Sequence, residues 1–215
     1  MKKIKKRSTV LAINAMFLAL TIIFVFVPLP GLVTSSVLML LPTIVLSQLL
    51  GLKSGLFQSF MLGLLLFIKG FGYITTPTDV TLQNPLISIF PRLFVALVTV
   101  GISTLGNKAL KFIKLKEENN EQEIKKFKIK KTAVEYFFST LASFLGALTN
   151  AILVLGMFYA FYKGNKELIG SEITFKFIYA IFIGVSGFEM LTTLLVAPPI
   201  VIASRKALKK IMEKE

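Results

Sequence analysis

Six apolar runs, each closed by Gly, Pro or a polar cluster, divide the chain at residues 8–27, 35–51, 54–70, 85–112, 132–162 and 174–204. A helix needs about 20 apolar residues to cross a bilayer core about 30 Å thick. The pattern therefore predicts six membrane-spanning helices in an all-α membrane protein, with residues 1–215 forming a single domain. The third run is short, and the last three are long enough to tilt or to project from the membrane. The first run follows a basic start, as in a signal peptide. It is nearly long enough to span, however, and only Pro28 and Pro30 follow it in place of a small-residue cleavage site, so it is expected to stay as a helix. Between the fourth and fifth runs lies a mixed-charge linker, residues 113–131, expected to be cytoplasmic and either a short surface helix or disordered.

Composition sharpens this picture. Hydrophobic residues make up 54% of the chain and mean hydropathy is +0.76, more than one soluble core of this length requires. The net charge of +14 invites a nucleic-acid reading, but the charges are concentrated in segments between apolar runs. Of the 25 Lys and Arg residues, 20 fall in residues 1–7, 52–53, 107–131 and 205–215. By the positive-inside rule this places both termini in the cytoplasm, with the anionic inner leaflet as the partner of these charges. The opposite connections, 28–36, 71–85 and 163–172, are rich in Gly, Pro, Thr and Asn. They read either as the mouth and lid of a small-molecule site or as plain connectors.

Polar groups at membrane depth are costly and so carry information. Arg92 falls about 12 Å into the fourth helix from the outer side at 1.5 Å per residue. Asn150 lies in the outer half of the fifth helix, so the two can share a cavity open to the outside. A guanidinium holds a carboxylate through two parallel hydrogen bonds, and Asn offers donors and an acceptor to amide or hydroxyl groups. The other reading pairs Arg92 with Glu189 or with loop carbonyls, purely to orient helices. Glu189, near the middle of the sixth helix, reads as a structural partner rather than as one step of a proton path. Gly72, Tyr73, Thr75, Gln83 and Asn84, in or beside the second outer loop, are further contact or lid candidates.

Several chemistries are excluded. The chain has no Cys and no His, which removes thiolate and imidazole metal sites, Cys nucleophiles and His general bases. GVSG at 184–187 matches the serine motif of intramembrane proteases but lacks the His that would take the serine proton. No phosphate-binding loop of the G-x-x-x-x-G-K-[ST] type occurs, so ATP hydrolysis would have to come from other chains. No metal or other cofactor is called for.

In AINAMFLAL, residues 12–20, the small side chains Ala12, Ala15 and Ala19 share one helix face. Ala15 and Ala19 form A-x-x-x-A in a basic-flanked first helix. With six helices and uncharged outer loops, the chain resembles the substrate-binding S components of energy-coupling factor (ECF) vitamin transporters. The segments 38–72, 86–97 and 144–159 are most similar to the pantothenate members, while S components for hydroxymethylpyrimidine, pyridoxine, folate or riboflavin share the fold. The resemblance implies a bacterial plasma-membrane protein that holds its vitamin under the first two outer loops and topples to release it inward. A scaffold transmembrane subunit and two ATPase subunits would drive the movement. It further implies that the Ala strip seats the scaffold's coupling helices; otherwise the strip packs against the chain's own helices. A self-sufficient secondary transporter is the alternative, although no internal repeat is evident.

Overall fold

A helix enclosed by other helices can be apolar on every side, and residues 41–49 take that position: all are buried. The computed structural model describes residues 7–27, 36–74, 77–112, 121–164 and 173–213, and every regular element among them is helical. In chain order these are α1 (Arg7–Phe26), α2 (Ser36–Met39), α3 (Leu41–Leu50), α4 (Leu52–Gly72), a 3-10 turn (Pro77–Gln83), α5 (Pro85–Ser88) and α6 (Phe90–Phe112). There follow α7 (Glu121–Tyr162), α8 (Phe175–Ile181), a π turn (Phe182–Ser186) and α9 (Gly187–Glu213).

Five stretches are long and apolar enough to cross a membrane: Ser8–Phe26, Leu52–Gly72, Pro85–Phe112, Lys126–Tyr162 and Phe175–Lys209. The second predicted span differs. In place of one helix over 35–51, the chain forms α2, turns at Leu40 and restarts as α3, with Pro42 in the first turn where its missing N–H costs nothing. At ten residues α3 is about 15 Å long, half the hydrocarbon thickness. Its contacts with α1, α4, α6, α7 and α9 explain why that is enough, because this helix has no lipid boundary to cover. Gly51, at φ 83°, adopts the left-handed backbone that turns the chain directly from α3 into α4.

The charged segment before the fifth span also differs from the expected linker. From Glu121 onward it is helical and continuous with the span, giving α7 42 residues. Residues 113–120 lie outside the described part.

The main core gathers Phe17 and Val25 from α1, Ile44 to Leu46 from α3, Leu62 and Leu66 from α4, Val95 from α6, Ala147 from α7, and Ala197 and Val201 from α9. A smaller cluster of Leu155, Phe158, Ile173 and Ile178 joins α7 to α8. At the basic end, polar bonds close the bundle. Arg205 pairs with Glu135 at 2.9 Å and donates to the Gln48 carbonyl at 3.0 Å. The Gln48 amide in turn donates to Ser143 Oγ at 2.9 Å and accepts from Ser139 Oγ at 2.7 Å. These contacts tie the C-terminal end of α3 to α7 and α9.

Candidate functional site

Arg92 on α6, Asn150 on α7 and Glu189 on α9 come together inside the bundle. They are 7, 7 and 8% exposed, so Arg92 does not snorkel to the surface. Its Nη1 donates to the Ile87 carbonyl at the end of the preceding turn, and its charge faces the Glu189 carboxylate. The Asn150 side chain lies beside Glu189. Two polar atoms of this cluster, Arg92 Nε and Asn150 Oδ1, are buried without a hydrogen-bond partner. Burying such groups unpaired carries a desolvation cost of about 1–3 kcal/mol each, so the cluster is incomplete as it stands. The π turn ends three residues before Glu189 with the buried Ser186. Single π turns within α-helices are frequent at functional positions.

The second outer connection is laid against α4. A methyl group on Gly63 would meet Ile89 Cα at 2.7 Å, and one on Gly70 would meet Gln83 N at 2.8 Å, so glycines are required at both close approaches. Gln83 Nε2 donates to the Gly70 carbonyl at 2.9 Å, and Asn84 Oδ1 caps α5 by accepting from the Leu86 N–H. Lys69 and Asp79 pair at 3.4 Å, both nearly buried. Residues 77–89 thus form a strap fixed to α4, and its last turn supplies the carbonyl that holds Arg92.

Of the candidates from sequence, Arg92 and Asn150 both lie beside Glu189, while Gln83 and Asn84 serve the strap. Gly72 and Tyr73 are exposed beyond it, Tyr73 with its ring edge against Phe26 at 6.1 Å between centroids. Thr75 lies outside the described residues. Sequence reasoning did not place Lys69 and Asp79 together. Their signal was a lysine at the end of an otherwise apolar run with one acid in the loop that follows.

On α1, Asn14, Phe17, Thr21 and Val25 face inward. Asn14 Nδ2 donates to Ser54 Oγ at 3.2 Å, and Gln58 Nε2 donates to Thr21 Oγ1 at 2.6 Å and to the Phe17 carbonyl at 3.1 Å. These bonds to α4 fix the rotation of α1, and Ala12, Ala15 and Ala19 are left exposed on the other face. A groove of about 740 Å³ lies elsewhere, along the Lys128–Thr140 face of α7, and none of the cluster residues lines it. Among the described residues its lining belongs to one helix near the basic end, which is not how convergent polar groups from several elements build a small-molecule site.

Several crossing helices and a buried polar cluster shared by three of them define a multi-pass membrane protein with polar groups buried inside its bundle. The chain belongs to the family described as ECF transporter, substrate-specific component, whose family model matches residues 9–201. That range takes in the Ala strip, the whole cluster and every span apart from the first residue of the first and the end of the last. No curated protein matches the sequence.

Proposed function

We propose that this chain is the vitamin-capturing S component of an ECF transporter in a bacterial plasma membrane, with pantothenate the first candidate. Both termini are placed in the cytoplasm, where the basic loops lie. The vitamin binds from the opposite side at Arg92, Asn150 and the strap. A scaffold subunit and two ATPase subunits, supplied by other chains, drive its release inward. Family membership supports the transporter role, and the segments resembling pantothenate members support that vitamin.

The observation that carries the reading is the exposed strip Ala12, Ala15 and Ala19 on α1, whose opposite face is held by Asn14, Thr21 and Gln58. Methyl-sized side chains let a second backbone approach closely, which is how packing drives helix association where lipid removes the hydrophobic incentive. Because the strip does not pack on the chain's own helices, Ala15→Trp with Ala19→Trp leaves the bundle folded. Co-purification of scaffold and ATPases from cells expressing the double variant should fall at least tenfold, with binding of labelled pantothenate to the isolated chain retained. Normal co-assembly and uptake by the double variant would refute the assignment.

A further inference from the structure

We infer that the Arg92–Asn150–Glu189 cluster holds the neutral, hydrogen-bonding portion of the ligand, an amide or hydroxyl group, and not its carboxylate. The inference rests on the reading of the chain as a vitamin-binding component and specifies which part of the vitamin meets which residues. Glu189 becomes the residue that sets the preference.

Three observations lead there. Arg92 is buried beside an acid of the protein, Glu189, so a base and an acid already share the cluster before any ligand arrives. A second carboxylate would place two acids around one buried base, where reduced screening makes like-charge repulsion expensive. Next, Arg92 Nη1 is committed to the Ile87 carbonyl, which takes one arm of the fork out of use. Last, the two unpartnered atoms differ in kind: Arg92 Nε is a donor and Asn150 Oδ1 an acceptor. An ionised carboxylate accepts only and leaves Asn150 Oδ1 unsatisfied, whereas an amide or hydroxyl both accepts and donates.

The test compares labelled pantothenate with its alcohol counterpart, in which the carboxylate is reduced, on the purified full-length chain. The ratio of acid to alcohol affinity is measured in the wild type, in Glu189→Gln and in Arg92→Gln. A ratio constant within about threefold, with both ligands weakened tenfold or more in Arg92→Gln, is expected. Collapse of the ratio in Arg92→Gln, or a tenfold gain for the acid alone in Glu189→Gln, overturns the inference and leaves the vitamin assignment standing. If neither variant folds, calorimetry of the wild type in buffers of different ionisation enthalpy decides: no proton uptake with the acid supports the inference, and uptake of about one proton per ligand overturns it. Failure of the wild type to bind either probe instead removes the pantothenate assignment, and the inference with it.

Discussion

Gly70 shows how much positional information one missing side chain holds. Its Cα faces Gln83 N, Leu82 C and Asp79 O across a gap that no methyl fits, and the strap pressed onto it leads into the turn that anchors Arg92. Gly70→Ala must push the strap outward, since the atoms in its way are backbone. Labelled vitamin should bind about tenfold more weakly to the variant, with a fall in thermal midpoint of only a few degrees; unchanged binding would mean that strap and cluster are independent. Lys69 beside it shows where reading residues one at a time stops. From sequence it is one of a few outer charges; in the fold it pairs with Asp79 of the strap, ten residues further along the chain. Arg92, Asn150 and Glu189 were each legible as polar groups in apolar runs. Their convergence was legible only as alternatives, Arg92 with Asn150 or Arg92 with Glu189, because the rotation of each helix about its own axis is set by packing that hydropathy does not record.

At the scale of elements, α1 and α3 contrast. The two faces of α1 follow from sequence spacing, small residues at 12, 15 and 19 and larger or polar ones at 14, 17, 21 and 25. What spacing leaves open is which face turns inward, and Gln58 settles it by reaching across from α4. Replacing Gln58 with Leu removes that tie, while the Thr21 hydroxyl keeps its bond to the Phe17 carbonyl. A stability loss of about 1–2 kcal/mol is expected, read by thermal unfolding in detergent, together with weaker scaffold co-purification. α3 offers no faces at all. Buried on every side, it has no amphipathic period to read, so its run looked like an ordinary span and its central, shortened form was illegible. Ile44, at 0% exposure, lies at its heart. Ile44→Ala should cost about 2–4 kcal/mol through the cavity it leaves, whereas the same change at exposed Ile22 should be nearly silent in unfolding measurements.

Across the whole molecule, the two polar centres divide the work. Ser103, beside the Arg205–Gln48 network, is eleven residues beyond Arg92 on α6, about 16 Å along the helix. The basic-end network therefore binds α3, α7 and α9 into one body without touching the Arg92–Asn150–Glu189 cluster. Arg205→Gln is expected to lower the unfolding temperature and leave vitamin affinity within twofold of wild type, measured on the same purified sample. A large affinity loss would instead make the network part of the binding machinery. Overall helical architecture was legible from hydropathy because lipid imposes length and continuity on every exposed span. The polar ties between helices were not, since each joins residues tens of positions apart.

The 42 residues of α7 amount to about 63 Å of rigid rod, roughly twice the depth of the hydrocarbon layer. From Asn150 to Lys126 the axis runs about 36 Å, so any tilt of the bundle about Asn150 is magnified at the Lys126 end. A tilt of about 30° in the bundle would swing its aqueous tip through almost 20 Å on that radius. Rotation too slight to resolve at the cluster becomes, at the tip, a displacement that a pair of fluorophores can follow in a single liposome.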